Sequence, residues 1–121
     1  MSDPQFTQTC PILRIYDEAA ALAFYLGYLG FAQDWEHRFA PDLPLYTQVS
    51  RAGLVLHLSG HHGDAVPGAT VFVRMTGIRA YHAELHGRDY PNLRPGLEDM
   101  PWGLQMQLTD PFMNRLRLCE G

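Results

Sequence analysis

A stretch of this chain recurs sixty residues further on, and that recurrence limits the fold more than any other feature. Cys10-Pro-Ile-Leu-Arg lies sixty positions before Thr70-Val-Phe-Val-Arg, and Leu56-His57-Leu58 lies sixty before Leu116-Arg117-Leu118. In a chain of 121 residues, one repeat of about half the length means a duplicated module, because solenoids use shorter and more numerous periods. The local patterns agree with this. Cys10 to Tyr16 is a short apolar run that reads as a strand, and Asp17 is a helix N-cap with Glu18 in the first turn. From Ala19 to Leu29, the apolar residues Ala21, Phe24, Tyr25, Tyr28 and Leu29 fall at helical spacings, with Gly30 as the stop. Phe31 to Phe39 alternates as a strand, placing Trp35 in phase with Phe31 and Gln33, a phase that reads as core before ligand contact. Leu45 to Arg51 and Leu54 to Ser59 are two more strands around an Ala52-Gly53 turn. After a linker from Gly60 to Gly68 the order repeats, with a strand over Ala69 to Met75, a helix over Ile78 to Arg88, and strands beyond.

The expectation is a single α+β domain, 1–121, of two strand-helix-strand-strand-strand modules at about 9–60 and about 69–120. Each module has one helix on one face of its sheet, so the other face must be covered by something. Two such curled sheets facing each other, within one chain or across a dimer, enclose a cleft where a ligand belongs.

The second module ends in a segment with its own signature. Between Asp99 and Cys119, Leu104, Met106 and Leu108 alternate with Gln105, Gln107 and Thr109, and Leu116 and Leu118 alternate with Arg115 and Arg117. Asp110-Pro111 opens the turn between these two strands. At the mouth, Trp102 stands between Pro101, which stiffens the approach, and Gly103, which has no side chain to shield the indole. A ring held that way is a core plug or a stacking surface.

Charge narrows the partners. The net charge is -4, and all nine basic residues are arginine. A mildly acidic surface is a poor match for nucleic acid and a better one for cationic ligands. Without lysine, no side chain can form a Schiff base. Cys10 and Cys119 do not make a disulfide framework, and no apolar run approaches the roughly twenty residues of a membrane span. The N-terminus lacks the basic start and apolar stretch of a signal peptide, so a reducing cytoplasm is the expected home.

The helix sequence Ala23-Phe24-Tyr25 through Leu29-Gly30-Phe31, with the endings Pro101-Trp102-Gly103 and Asp110-Pro111-Phe112-Met113-Asn114, resembles the vicinal oxygen chelate superfamily of glyoxalases, ring-cleaving dioxygenases and bleomycin-resistance proteins. Within it the chain looks most like the bleomycin-resistance branch. That resemblance implies a dimer, with possible exchange of the N-terminal strand, that binds and sequesters a bleomycin-class glycopeptide antibiotic without altering it. The drug's flat part stacks on aromatic rings and its cationic tail meets an acidic groove. The residues this implies here are Trp102, with Phe39 and Trp35 closing the other side, and Glu98, Asp99, Asp34, Glu36 and Asp42 as negative charge. Met113 stands where the family usually has glycine, which matters if that position needs a positive φ.

Metal-using members of the superfamily draw ligands from four places, which fall here on Cys10, His57, Thr70 and Arg117. That set argues against a metal cofactor, because Arg117 brings a permanent positive charge where the ion would sit. The alternatives are a metal-dependent glyoxalase-like lyase or isomerase, with His57 as base, and a binder of some other planar molecule. His57, between Leu56 and Leu58, points to the cavity face. Arg117 is cavity-facing in the same way and would bind an anion or pair with a groove carboxylate. Gly103 completes the set of ligand-site residues. His61 and His62 read as a solvated linker, and His82 and His86, spaced i, i+4, as an exposed helix face. Cys10 and Cys119 read as buried free thiols.

Overall fold

A computed structural model describes residues 3–88, 90 and 93–121. The first half runs β1 (Ile12–Arg14), α1 (Glu18–Leu22), a π-helical turn (Ala23–Tyr28), β2 (Ala32–His37), β3 (Tyr46–Arg51) and β4 (Leu54–Ser59). The second runs β5 (Thr70–Arg74), α2 (Ile78–His86), β6 (Leu97–Met100), β7 (Gly103–Thr109) and β8 (Arg115–Glu120). Two four-stranded sheets result, ordered β1-β4-β3-β2 and β5-β8-β7-β6. The repeat holds in register. Ile12 pairs with His57 across the parallel β1/β4 ladder, and Phe72 pairs with Arg117 across β5/β8.

The first helix is where the structure departs from a plain α-helix. Asp17 caps it as expected, accepting from the Ala20 backbone N–H at 3.0 Å. Beyond Leu22 the chain widens by one residue per turn, so that the Leu29 N–H bonds to the Phe24 carbonyl. Gly27 sits in this widened turn without a side chain to hold the α register. Phe24, Tyr25, Tyr28 and Leu29 are all buried. In the second module α2 ends two residues sooner than the periodicity suggests, at a Gly87 cap, and its first N–H, that of Ile78, bonds to the Glu120 carboxylate at 2.9 Å. An anion there also suits the helix dipole. The segment from Asp99 to Cys119 carries part of a third strand: β6 pairs back onto β7 through the Pro101-Trp102 turn.

Both sheets bury one face in a single apolar cluster. Leu13, Val49, Leu56 and Leu58 come from the first sheet, Met106, Leu108, Leu116 and Leu118 from the second, with the two helical segments between them. A buried polar knot crosses the same boundary. Tyr25 donates its hydroxyl to Asp110 at 2.8 Å, and Asp110 also accepts from the backbone N–H groups of Phe112 and Asn114 and from the Asn114 amide. Asn114 in turn donates to the Arg14 carbonyl on β1. Burial first, and then the Asp110 charge, holds the Tyr25 hydroxyl well above its usual pKa, so it stays a donor. The other face of each sheet is left open. Among the described residues no helix is long and apolar enough to cross a membrane.

Candidate functional site

Strand alternation decides which side chains reach the open faces. On β4, Leu56 and Leu58 point into the core and His57 points out. The two-residue turn at Ala52-Gly53 sets the hairpin register, placing Gln48 opposite His57 and leaving Tyr46 on the same face. β2 would have turned Trp35 inward had it alternated without interruption. A bulge between Gln33 and Trp35 breaks the phase: Gln33 pairs with the buried Val49, whereas Trp35 pairs with Gln48 on the open side. Trp35 is therefore a surface ring, 43% exposed, rather than the core residue its phase with Phe31 suggested.

The open face of the first sheet is an aromatic patch over a hydrogen-bonded relay. The Trp35 and Tyr46 rings are stacked, 9° from parallel with centroids 6.0 Å apart, and His57 meets both edge-on. Phe39, 71% exposed, extends the patch through edge contacts to His37 and His61. Beneath the rings, Gln48 donates its amide N–H to Asp34, which turns its carbonyl oxygen toward His57 Nε2 at 3.0 Å. His57 Nε2 must then carry the proton, leaving Nδ1 to accept from the Tyr46 hydroxyl at 2.7 Å. Asp34 is held below the usual carboxylate range by the Gln48 amide and then by Ser50. Burial raises the Tyr46 hydroxyl. Tyr46, Gln48 and His37 were not singled out from sequence, although counting outward from the Ala52-Gly53 turn would have placed Tyr46 and Gln48 beside His57.

The open face of the second sheet is different in character. Trp102, 45% exposed, sits on the β6/β7 turn and donates its indole N–H to Gln105 at 3.0 Å. Arg117 donates to Gln107, and the Arg74 guanidinium lies over the Phe72 ring at 5.4 Å. Glu98 pairs in register with Gln105 and shares this face, whereas Asp99 pairs with Leu104, whose side chain packs against the core. The two acids are thus divided by strand alternation and do not form one charge partner. Glu36 is likewise opposite the buried Thr47, away from Trp35. Gly103 has φ +139°, and a Cβ there would lie 2.6 Å from the Glu120 carbonyl oxygen. Its place in the motif comes from this close approach of β7 to the end of β8.

The candidate residues therefore form two groups: Trp35, Phe39, His57 and Asp34 on the first sheet, and Trp102, Glu98, Gly103 and Arg117 on the second. Each sheet's opposite face is committed to the shared core. The four superfamily metal positions do not make a donor set here. Both His57 nitrogens are engaged, Thr70 is exposed, and the Arg117 guanidinium has no lone pair to give. Among the described residues no three His, Cys, Asp or Glu side chains gather closely enough to hold an ion.

A family model described as "Glyoxalase superfamily protein" matches residues 1–121. No curated protein sequence matches the chain. Solved structures share the fold at low sequence identity. One is the antibiotic-binding protein TnmS3 from Streptomyces sp. CB03234, with a TM-score of 0.75 at 21% identity, covering 98% of this chain and 98% of that one. Another is the bleomycin-binding protein of Streptomyces verticillus complexed with copper(II)-bleomycin, with a TM-score of 0.74 at 24% identity over 98% of this chain and 99% of that one. A third is a bleomycin resistance determinant encoded on the transposon Tn5, with a TM-score of 0.71 at 19% identity over 96% and 98%. At these identities the likeness shows the fold alone.

Proposed function

This chain belongs to the glyoxalase superfamily, and from that premise we propose that it binds and sequesters, without altering it, a flat cationic glycopeptide antibiotic of the bleomycin class. The observation that carries the reading is the stacked Trp35–Tyr46 pair, exposed on an open sheet face and braced from beneath by His57. A rigid aromatic platform of this kind favours a planar ligand, because the rings are already ordered and little side-chain entropy is lost on binding. The second wall is the open face of the other sheet, supplied by a second copy of the chain, so that Trp102 closes over the ligand from the opposite side. Asp34 and Glu98 meet the cationic part. The bleomycin-binding structures that share this fold support the choice of ligand class.

The rival reading, a glyoxalase-like lyase or isomerase, needs His57 as a free base. Both of its nitrogens are occupied by neutral partners and, among the described residues, no carboxylate bonds to the ring, which favours a structural brace over a proton acceptor.

The test is a titration of metal-free protein with metal-free bleomycin, followed by tryptophan emission, with calorimetry on Trp35→Ala and Trp102→Ala. Saturable quenching at about micromolar affinity, weakened at least about tenfold in each variant, is the expected result. An absence of binding at millimolar drug overturns the choice of ligand and leaves another planar molecule. Binding indifferent to both variants overturns the site.

A further inference from the structure

The second helix carries a feature that this reading does not use. His82 and His86 are one helical turn apart, with ring centroids separated by 4.1 Å and planes 39° from parallel. Both aim the same nitrogen at one atom: His82 Nε2 lies 3.0 Å, and His86 Nε2 2.7 Å, from the carbonyl oxygen of Pro95, in the segment leading into β6. Side chains at i, i+4 are neighbours on a helix surface, and here both rings are also turned onto one oxygen, so they form a preorganised pair rather than a solvated face.

We propose that His82 and His86 form a binding site for one divalent transition-metal ion, zinc in the first instance, on the flank of the molecule away from the aromatic faces. Imidazole nitrogens suit such ions, and the spacing on one helix face lets both reach a single centre. Each ring gives up its Nε2 proton and takes one at Nδ1, through solvent, so both ligate as neutral imidazoles and nothing is oxidised or reduced. The Pro95 carbonyl, now without its two N–H donors, is placed to supply an oxygen ligand, and water fills the remaining positions. With two side-chain ligands the site is open and exchangeable, unlike a closed four-ligand structural centre. Its effect on the fold follows from what it joins. The ion clips α2 to the approach of β6, the strand that carries Glu98 and leads to the Trp102 turn.

Calorimetric titration of the whole protein with zinc(II), with the thermal midpoint followed in parallel, tests this. One ion per chain is expected, with a raised midpoint. In His82→Gln and in His86→Gln the affinity should fall by more than about tenfold, since even outer partners of metal ligands bring losses of that order. His57→Gln and Cys10→Ser, which remove the donors at two of the superfamily's metal positions, should leave the affinity unchanged. No binding up to millimolar zinc overturns the proposal. So does binding that survives both helix variants, or that is lost in His57→Gln or Cys10→Ser, because the ion would then sit elsewhere.

Discussion

Met113 is the penultimate residue of the Asp110–Asn114 turn and has φ +71°, in the left-handed region that side chains other than glycine adopt at a cost. Its side chain is largely exposed, so little burial offsets that strain. Met113→Gly is therefore expected to stabilise the protein by about 0.5 to 1 kcal/mol, read as a higher urea midpoint with an unchanged slope. A loss of stability would show that the methionine packs more than its exposure implies. The turn tolerates the strain because Asp110 accepts from two backbone N–H groups, the Asn114 amide and the Tyr25 hydroxyl. Here the Asp-Pro motif seen in the sequence proves to be more than a turn signal. It places a buried carboxylate that joins the two halves, a role no local pattern announces because its partner Tyr25 is 85 positions away.

The end of the π-helical turn shows how one element is held by others. The carbonyls of Tyr28 and Leu29 have no partners further along their own helix, and they are taken by Arg88, by Arg51 and by the Tyr81 hydroxyl. Glu84 holds both arginines in place, at 2.6 Å to Arg51 and 2.7 Å to Arg88. These guanidiniums, the Arg51 hydrogen bond first, bring the Glu84 carboxyl down from 4.5 to about 2. A carboxylate whose folded pKa is depressed stabilises above the unfolded value and loses that contribution as pH falls through the folded one. The contribution of Glu84 should thus be intact above pH 4.5 and vanish toward pH 2. Because about a third of each side chain meets water, it amounts to about 1 to 2 kcal/mol, below the full value of the shift. The gap in denaturant midpoint between wild type and Glu84→Gln should close over that window, and a gap that persists at pH 2 would assign the effect to packing instead. At this scale, period-two and helical patterns located the core of each element in the sequence except β6. What they could not show was the bulge in β2, because one extra residue reverses the apparent phase of everything beyond it. Trp35 looked inward for that reason, and Glu98 and Asp99 looked like one acidic pair only until β6 was seen to alternate.

The whole molecule is two sheets with one core. If the groove between unlike sheets is completed by a second copy, as proposed, dilution should lower the thermal midpoint. A midpoint independent of concentration, for a species that sediments as a monomer, would remove the shared groove. The repeat itself was legible because His57 and Arg117 occupy equivalent rungs of equivalent ladders. The difference between them was legible only as a change of residue type, not as two surfaces of unlike character. That difference has a further consequence for the groove. A cleft lined twice by the same wall would let a flat guest lie in either of two orientations related by a half-turn, whereas imidazole and stacked rings opposite guanidiniums would give it a head and a tail, and so a single way round.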